Sequence, residues 1–486
     1  MRMSPAAAAA VLAAVLLAVS VPLSSESEGY SVYSAEGSSF TYETFGNGIS
    51  DPYRCTLKSV SSSEDTVFLP AALEGYNVTE IGGGAMSGIS GSPTVVVPGT
   101  VRTVGSSAFP AGSEEIFLGD RPEGDVPEGS AHLPGTSGWG KDSDTIETCT
   151  VGSEDGSSVV CAVIGGKAMI ISGTVSASGS LTVPSSAGGY PVDSIGPYAF
   201  GASDSGDNNK VHRTDLKTVS ISDGVRLIRE RAFFYQGALE SVSIPGSVTD
   251  IMDEAFRSDG SLESIDLPSS VRRIGFETFR ECISLTSITV PDSVTELCDG
   301  SFRLCRGAIQ ITVGVGISEI PAHCFEYGDR LERIALPETL RSVGDSAFYM
   351  CPALVSVDLP DGVTSVGDSA FRECTSLENV DFGKSLKYVG SNSFENCRSL
   401  CEVSFPASLG KIGDSAFWGC TALEHAVFEG DEPEIGSKAF PAAAEIEVRG
   451  SGSDDGLPLA SVAAAAAIIF AAVMLALYYI RRRGAH

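Results

Sequence analysis

Phenylalanine recurs along this chain at a fixed interval of 23 residues, nine times in succession. The ten positions are Phe233, Phe256, Phe279, Phe302, Phe325, Phe348, Phe371, Phe394, Phe417 and Phe440. A fixed period of roughly 20–50 residues is typical of solenoids, because one short repeat cannot bury its apolar face alone and must stack on its neighbours. The interval therefore predicts a column of stacked coils with one Phe in each, and it argues against a set of separate globular domains.

Other apolar columns keep the same register. A Leu usually stands six residues after each Phe, an Ile or Val nine after, a further apolar residue eleven after, and often a Pro twelve after. In one repeat these residues are Leu354, Val357, Leu359 and Pro360. This spacing predicts a short strand that faces its apolar residues inward and ends at the Pro, which lacks an amide hydrogen for the ladder. Gly367 then predicts an unusual turn, and the Ala370-Phe371 pair predicts the start of a helical turn.

The repeats fall into two groups. Two earlier segments, 67–86 and 181–200, carry the same columns, and each contains a Gly-Tyr pair at the equivalent place. We therefore expect two arrays, each with its own N-terminal cap, separated by a segment rich in Gly, Pro, Ser and Asp that is typical of a linker. The expected division is a signal peptide (1–24), a short N-terminal repeat module (55–119), a linker (120–145), the main solenoid (146–448), a juxtamembrane spacer (449–456), a transmembrane helix (457–480) and a cytoplasmic tail (481–486).

The two ends of the chain predict export and anchoring. Arg2, an apolar run over residues 6–19 and small residues beside it are typical of a secretory signal, with an uncleaved N-terminal anchor as the alternative. Residues 457–480 carry no charge and are long enough to cross ~30 Å of hydrocarbon. The three arginines at 481–483 predict a cytoplasmic C-terminus, and so a single-pass type I protein of the cell surface. Replacement of the anchor by covalent attachment is disfavoured because no LPxTG motif precedes the span.

Charge and motif content exclude several functions. The chain has 62 acidic against 32 basic residues, a formal net charge of −30. This argues against nucleic acid as a partner, because phosphate binding needs clustered Lys and Arg. No catalytic motif or metal-ligand spacing is present, so we expect no enzyme activity, no metal and no cofactor. Gly-Asp-Ser triplets at 344–346, 367–369 and 413–415 repeat at fixed phase, which favours capping of the Ala-Phe turn over a nucleophile. The insert at 204–209 lacks the spacing of a calcium loop, and we interpret it as a flexible insert.

Six of the twelve cysteines occupy one column, three residues after the Phe. They are Cys282, Cys305, Cys351, Cys374, Cys397 and Cys420. Cys suits the inside of a tight turn, so this column predicts a ladder of free thiols, with disulfides between neighbouring coils as the alternative. Cys149 and Cys161 lie twelve residues apart around two glycines and predict a hairpin pair that a disulfide can join. The sequon Asn77-Val78-Thr79 predicts one glycan on Asn77.

The repeat string IPxSVxxIGDSAFxxCxSLxxI, best matched at 359–380, resembles the BspA-like leucine-rich repeat of surface proteins. The resemblance implies a mainly β leucine-rich-repeat solenoid. It also implies a secreted or cell-surface protein that is used for adhesion or for binding host and matrix proteins.

Two exposed faces are candidates for binding. The solvent side of the strands carries small polar pairs such as Ser287 and Thr289. In leucine-rich repeats this is the usual binding face, but such residues also fill any exposed sheet. We favour a stripe of Arg and aromatic residues just after the Phe, because these residue types are enriched in interface anchors; partial burial under a neighbouring turn is the alternative. The predicted ligand-binding residues are Arg257, Arg280, Arg303, Tyr327, Tyr349, Arg372 and Trp418.

The sequence thus predicts a non-catalytic surface protein. Its solenoid would mediate adhesion or bind a protein or glycan ligand on another cell, in the matrix or in the same envelope. A structural cell-envelope or surface-layer component without a specific ligand is the alternative.

Overall fold

The computed structural model describes residues 31–35, 38–45, 54–74, 76–128, 130–133, 136–137, 145–201 and 215–450. These residues form 37 β-strands and no helix. Accordingly, this part of the chain contains no helix of the length and apolar character that a membrane span needs. The predicted signal peptide (1–24), the insert at 204–209, the predicted transmembrane segment (457–480) and its tail lie outside the described residues.

The first eleven strands form an N-terminal array. They are β1 (Ser31–Ala35), β2 (Ser38–Phe45), β3 (Arg54–Ser62), β4 (Thr66–Phe68), β5 (Ala72–Leu73), β6 (Tyr76–Ile81), β7 (Thr94–Val97), β8 (Thr103–Val104), β9 (Glu114–Phe117), β10 (Glu123–Gly124) and β11 (Ala131–His132). Strands β1 to β3 are antiparallel, and the coils that follow pair in parallel. One sheet has the order β1-β2-β3-β6-β8-β10, with β5 paired to β6, and the other has the order β11-β9-β7-β4.

The main array begins with a second antiparallel cap and continues as parallel coils. Its strands are β12 (Thr148–Gly152), β13 (Ser158–Ile164), β14 (Lys167–Thr174), β15 (Ser180–Val183), β16 (Ser186–Ala187), β17 (Tyr190–Ile195), β18 (Thr218–Ile221), β19 (Leu227–Ile228), β20 (Ser241–Ser243), β21 (Asp250–Ile251), β22 (Arg273–Ile274), β23 (Ser287–Val290), β24 (Glu296–Leu297), β25 (Gln310–Val313), β26 (Glu319–Ile320), β27 (Arg333–Ala335), β28 (Ser342–Val343), β29 (Ser356–Asp358), β30 (Ser365–Val366), β31 (Asn379–Asp381), β32 (Tyr388–Val389), β33 (Glu402–Phe405), β34 (Lys411–Ile412), β35 (His425–Phe428), β36 (Glu434–Ile435) and β37 (Glu445–Val448).

Neighbouring coils pair at the sequence period. In the longer strands Ile288 lies opposite Ile311, and Ile311 opposite Ile334. The two-residue strands do the same in a second set of sheets, where Val343 lies opposite Val366. Because parallel strands in register place equivalent side chains above one another, each sequence column becomes a column in space. The predicted mainly β solenoid of 23-residue coils is confirmed.

A column of stacked Phe rings runs through the main array. It extends from Phe200 to Phe440, with neighbouring ring centroids 5.1–5.8 Å apart. From Phe233 to Phe417 each column Phe is at most 2 % exposed. Burial of one such side chain contributes about 2–3 kcal/mol, so the column stabilises every coil along the array.

The glycine column has a role that differs from the prediction. Neither Gly344 nor Gly367 has a positive φ. A Cβ on Gly367 would lie 2.5 Å from Asp345 Oδ1 and 2.7 Å from Asp345 N, so Gly is needed because adjacent backbones approach closely. From Phe233 to Phe417 the left-handed conformation falls instead two residues before and two residues after the Phe, as at Ser369 (φ 57°) and Glu373 (φ 63°). These residues form tight turns, and the predicted helical turn at Ala-Phe is wrong.

The Asp residues of the Gly-Asp-Ser triplets link successive coils. Asp345 Oδ1 accepts a hydrogen bond from Asp368 N at 2.7 Å, and Asp368 Oδ1 accepts one from Ser391 N at 2.7 Å. Asp414 Oδ1 accepts one from Ser437 N at 2.6 Å. The capping prediction placed the donor in the Asp residue's own turn. In the structure the donor lies in the next coil. Hydrogen bonds to an ionised acceptor are stronger than neutral ones, so this column strengthens coil stacking.

The segment 120–145 belongs to the N-terminal array at its described positions. Strand β10 pairs with β8, and β11 pairs with β9. Val126 is buried, and His132 forms a bridge with Thr145. These residues make a further coil and not the linker that their composition predicts. The pairing uses backbone groups of two-residue strands, which leave no apolar period in the sequence.

The two arrays pack against each other. The Arg229 guanidinium lies 3.9 Å from the centre of the Phe68 ring. Glu74 N donates a hydrogen bond to the buried Asp253 Oδ2 at 3.2 Å. Val96 of the first array shares an apolar cluster with Met169 of the second. The N-terminal array is therefore docked on the first coils of the main solenoid.

Candidate binding surface

The two residues that follow each column Phe lie in a tight turn; they are buried in some coils, as at Phe234 and Glu326, and partly or well exposed in others, as at Arg372 and Trp418. We call this part of the main array the ridge, and it comprises the positions one and two after the Phe in each coil. Since the coils stack in register, ridge residues of successive coils are neighbours. All seven predicted ligand-binding residues lie on the ridge, but their surroundings differ between its two halves. The N-terminal half contains Arg257, Arg280 and Arg303, and the C-terminal half contains Tyr327, Tyr349, Arg372 and Trp418.

The N-terminal half of the ridge is an ionic network. The fully buried Glu254 pairs with Arg257. Glu277 lies 3.0 Å from Arg257, 2.8 Å from Arg280 and 3.7 Å from Arg303. The three arginine side chains are only 18–28 % exposed. Their charges are already matched by glutamates, so these arginines are poor anchors for a ligand.

Glu254 connects this network to the docked N-terminal array. Its carboxylate also pairs with Arg231, whose guanidinium donates to Asn77 Oδ1 and to the Tyr198 hydroxyl. Burial raises the pKa of Glu254, but the guanidinium groups of Arg231 and Arg257 outweigh it and lower the pKa overall. Removing one partner of such a buried pair costs about 3–5 kcal/mol, because the other charge is left without compensation. We infer that this half of the ridge has a structural role.

The C-terminal half of the ridge is aromatic and more accessible. The Tyr327 and Tyr349 rings meet edge to face with centroids 5.5 Å apart. The Arg372 guanidinium lies 5.7 Å from the Tyr349 ring centre. Trp418 is 47 % exposed, with the Lys438 ammonium 5.7 Å from its ring centre. Cation–π contacts of about 0.5–1 kcal/mol at exposed sites hold these rings in defined positions.

Carboxylate and amide groups lie between the aromatic residues. Glu395 is 2.9 Å from Arg372 and accepts a hydrogen bond from Asn392 Nδ2 at 2.8 Å. Asn396 Nδ2 donates to Glu373 Oε1 at 2.7 Å. This half of the ridge therefore combines stacking surfaces with hydrogen-bonding groups whose positions are fixed by neighbouring coils.

The strand face, which was the other candidate, is exposed, and its side chains are short. Ser287 and Thr289 point outward from β23, and Ser356 and Asp358 point outward from β29. Short polar side chains offer little area for burial by a partner. The C-terminal half of the ridge is the stronger candidate for an anchor.

A cleft between the two arrays was not foreseen from the sequence. Its volume is about 450 Å³, and residues of both arrays line it, among them Asp65, Phe68 and Asp193. Asp193 lies 3.2 Å from Lys167 and 2.8 Å from Arg226. Burial raises the pKa of Asp193, but these two cations lower it overall. Only the docking of the arrays brings these residues together, so no local sequence signal could have found the cleft.

The cysteine column consists of buried free thiols. Each thiol donates to the backbone carbonyl of the Phe 26 residues earlier, as Cys374 Sγ does to Phe348 O at 3.2 Å. The equivalent distances in the other five coils are 3.1–3.4 Å. Burial raises the pKa values of Cys351 and Cys397 well above the usual range of a thiol, so both side chains stay protonated and act as donors. The column satisfies a carbonyl inside the turn.

Asp259 takes the place of a cysteine in the coil of Phe256. It is fully buried, and its Oδ1 accepts a hydrogen bond from Gln236 N at 2.8 Å. Its Oδ2 has no hydrogen-bond partner among the described residues. Burial raises the pKa of this carboxyl well above its usual range. In the sequence, only the position of Asp259 in the cysteine column, three residues after Phe256, indicates that this carboxyl is buried.

Cys149 and Cys161 face each other across the first hairpin of the main array. Both thiols are free in the structure. Burial, and to a smaller extent the nearby Cys149, raises the pKa of Cys161 to about 12. Directly opposed residues of an antiparallel strand pair are close enough to form a disulfide. A disulfide between Cys149 and Cys161 stays a prediction.

Asn77, the predicted glycan site, is half-buried where the arrays meet. Its Oδ1 accepts hydrogen bonds from the Tyr198 hydroxyl, at 3.1 Å, and from Arg231. A glycan on Nδ2 would have to fit beside this contact, and its presence also stays a prediction.

The repeat columns match a known family. A family model for the BspA type leucine-rich repeat region matches in six copies, over residues 206–329 and 318–447. The chain belongs to the BspA-type leucine-rich repeat family. The resemblance inferred from the repeat string is confirmed. No curated protein sequence matches the chain significantly.

Similar solved structures are bacterial leucine-rich repeat proteins. The chain is 26 % identical to the leucine-rich repeat protein TpLRR of T. pallidum, over 40 % of this chain and 87 % of that one, with a TM-score of 0.36. It is 20 % identical to a leucine-rich cell surface protein of Faecalibacterium prausnitzii, over 89 % and 100 % of the two chains, with a TM-score of 0.32. It is 13 % identical to the pneumococcal vaccine antigen PcpA, over 89 % and 90 %, with a TM-score of 0.33. With TM-scores this low, the family assignment rests on the repeat match alone.

Proposed function

We propose that this protein is an exported, single-pass surface protein whose solenoid binds a protein or glycan partner through the C-terminal half of the ridge, without catalysis. The family supports a surface-associated role. The observation that carries the proposal is the set of partly or well exposed aromatic side chains Tyr327, Tyr349 and Trp418, with Arg372 beside Tyr349, on a chain that is otherwise strongly acidic. Aromatic and Arg side chains are the residue types that supply most binding energy at interfaces.

The choice of this half follows from charge pairing. A partner that recruits Arg257 or Arg280 must first break ion pairs to Glu254 or Glu277. Trp418 has a ring contact with Lys438, and Tyr349 has ring contacts with Arg372 and Tyr327, each of modest strength. Their apolar surface is therefore available to a partner at little energetic loss.

The anchoring part of the proposal rests on the ends of the sequence. The last strand, β37, ends nine residues before the apolar segment at 457–480. The eight residues between them, 449–456, span at most ~30 Å when extended, so the solenoid would stand close to the membrane. Mass spectrometry of the mature protein tests this: loss of about the first 24 residues with retention of 457–480 is expected. A mass that lacks the C-terminal segment would favour covalent attachment instead.

Binding through the ridge is tested with a paired substitution. Beads that carry the full chain are applied to cells and to extracellular matrix, and attachment is counted. We expect the Tyr349→Ala/Trp418→Ala variant to lose most attachment, and the strand-face control Ser287→Ala/Thr289→Ala to keep it. Unchanged attachment of the ridge variant, together with assembly of the purified chain into ordered sheets, would favour the structural envelope role.

A further inference from the structure

We propose that the C-terminal half of the ridge binds a linear, uncharged, β-linked polysaccharide in an extended conformation, with about one sugar ring for each coil. This inference rests on the binding role proposed for the ridge and names the class of ligand. It is carried by the spacing of the aromatic residues, by the groups between them and by the charge balance of the surface.

The spacing of the coils matches the repeat of such a chain. The residues directly after the Phe succeed one another along the array, one in each coil: the buried Glu326, then Tyr349, Arg372, Glu395 and Trp418. The Phe rings beneath the last four advance by 5.1–5.2 Å from coil to coil. A pyranose ring in an extended β-linked chain advances by a closely similar distance. Tyr349 and Trp418, three coils apart, can therefore stack on sugar rings of one chain three positions apart.

The chemistry at Trp418 suits a sugar. The indole is 47 % exposed and offers its ring to the apolar C–H face of a pyranose. Next to it, a Cβ on Gly419 would lie 2.2 Å from Asn396 Oδ1, so the absence of a side chain at Gly419 lets the Asn396 amide lie against the chain beside Trp418. The same amide donates to Glu373 Oε1 at 2.7 Å. Amide and carboxylate groups held beside an aromatic plane can donate to and accept from ring hydroxyls.

The groups between the two aromatic residues continue this pattern. Arg372 lies 5.7 Å from the Tyr349 ring centre and 2.9 Å from Glu395. Glu395 also accepts from Asn392 Nδ2 at 2.8 Å. Donors and acceptors therefore alternate from coil to coil between Tyr349 and Trp418, as the hydroxyls of a chain that lies along the row require.

The charge balance favours an uncharged ligand. Near Tyr349 and Trp418 the charges of Arg372 and Lys438 oppose those of Glu373 and Glu395, while the whole chain carries −30. A polysaccharide of uronic acids or sulfate esters would be repelled by the overall charge. Protein partners usually bury a contiguous apolar cluster inside a ring that excludes water. Among the described ridge residues, the exposed large hydrophobic side chains are Met350 and Trp418. Polar residues separate them.

The test measures binding of soluble oligosaccharides to the full chain in detergent by titration calorimetry. Cellohexaose and chitohexaose represent extended β-linked chains, and maltohexaose represents a coiled α-linked chain. We expect one or both β-linked hexamers to bind with a Kd on the order of 0.1–1 mM, and maltohexaose to bind at least about tenfold more weakly. Trp418→Ala and Tyr349→Ala should each raise Kd by about tenfold or more. Trp418→Phe should retain most binding, and Ser287→Ala should leave Kd unchanged.

Three results would overturn the proposal: no binding of either β-linked hexamer, equal binding of maltohexaose, or a Kd insensitive to Trp418→Ala in a variant with an unchanged thermal melt. The assay also separates this proposal from the ridge function itself. If the Tyr349→Ala/Trp418→Ala variant loses attachment to cells while no hexamer binds, the partner is a protein and only the polysaccharide inference fails. If the hexamers bind but attachment is unaffected, the adhesive role fails and the polysaccharide inference stands.

Discussion

Removal of one ring from the middle of the Phe column should weaken a few coils strongly and leave the rest of the array unchanged. Phe348 is fully buried and stacks on Phe325 at 5.4 Å and on Phe371 at 5.1 Å. Loss of a buried Phe side chain costs about 3–5 kcal/mol, the transfer term plus the cavity left behind. Phe440, at the end of the column, is half-buried; it stacks on Phe417 at 5.2 Å and meets Phe405 and Phe428 edge to face at 6.3 and 6.2 Å. Phe440→Ala should therefore cost about 1–2 kcal/mol, scaling the burial term by the smaller buried area.

Native-state hydrogen exchange measures this effect coil by coil. In a solenoid each repeat contacts only its neighbours, so local opening free energies report on the site of damage. For Phe348→Ala we expect a loss of about 3–5 kcal/mol in peptides from residues 319–390, with little change in the N-terminal array. A loss below about 1 kcal/mol, or an equal loss across both arrays, would refute the reasoning that the ring column stabilises coils locally.

Three further substitution and labelling experiments test other columns. Burial raises the pKa of Asp259 above its unfolded value, so the folded state retains a proton and stability falls as pH rises through that interval. Asp259→Asn should therefore raise the melting temperature at neutral pH, whereas the exposed control Asp358→Asn should not; a lower melting temperature would contradict this. Gly367→Ala should destabilise the array by about 1–3 kcal/mol, because its Cβ would meet the Asp345 backbone, whereas Gly246→Ala, which has open space, should be neutral in urea unfolding. A thiol reagent should label the exposed Cys401 in the native chain and the six column cysteines only after denaturation; rapid native labelling of Cys374 would argue against the buried ladder.

The apolar columns could be predicted because stacking in register converts sequence period into spatial contact. Phe348 lies where the 23-residue spacing placed it, and Cys374 lies inside the turn as its small size indicated. The role of Gly367 could not be predicted correctly, since close approach to Asp345 and a positive φ both call for glycine. Only the coil-to-coil distance decides between them.

The division of the ridge required the structure for a different reason. Arg280 and Arg372 occupy the same column and look equivalent in the sequence. Arg280 lies 2.8 Å from the buried Glu277, two residues before its own Phe, whereas Arg372 lies 2.9 Å from Glu395 of the next coil and beside the Tyr349 ring. The partner of each Arg comes from whichever column its side chain reaches across the turn. Most of the left-handed residues that shape the turn are not glycine, Gly300 and Gly419 being exceptions, so the sequence does not mark them.

The docking of the two arrays had no sequence signal at all. Arg231 contacts Asn77, and Arg229 contacts Phe68, across long separations in the chain. Neither pair belongs to a repeat column shared by both arrays. Such contacts depend on the surfaces that two folded units present to each other, so composition predicted only a linker between them.

The most direct test of the central claim is hydroxyl-radical footprinting of the full chain while it is attached to its native surface. If the C-terminal half of the ridge is the binding face, residues 346–350, 369–373 and 415–419 should become protected, with Trp418 oxidation reduced most. The strand face at 287–289 and 356–358 should react as in the free chain. Protection of the strand face with an unprotected Trp418 would contradict the account.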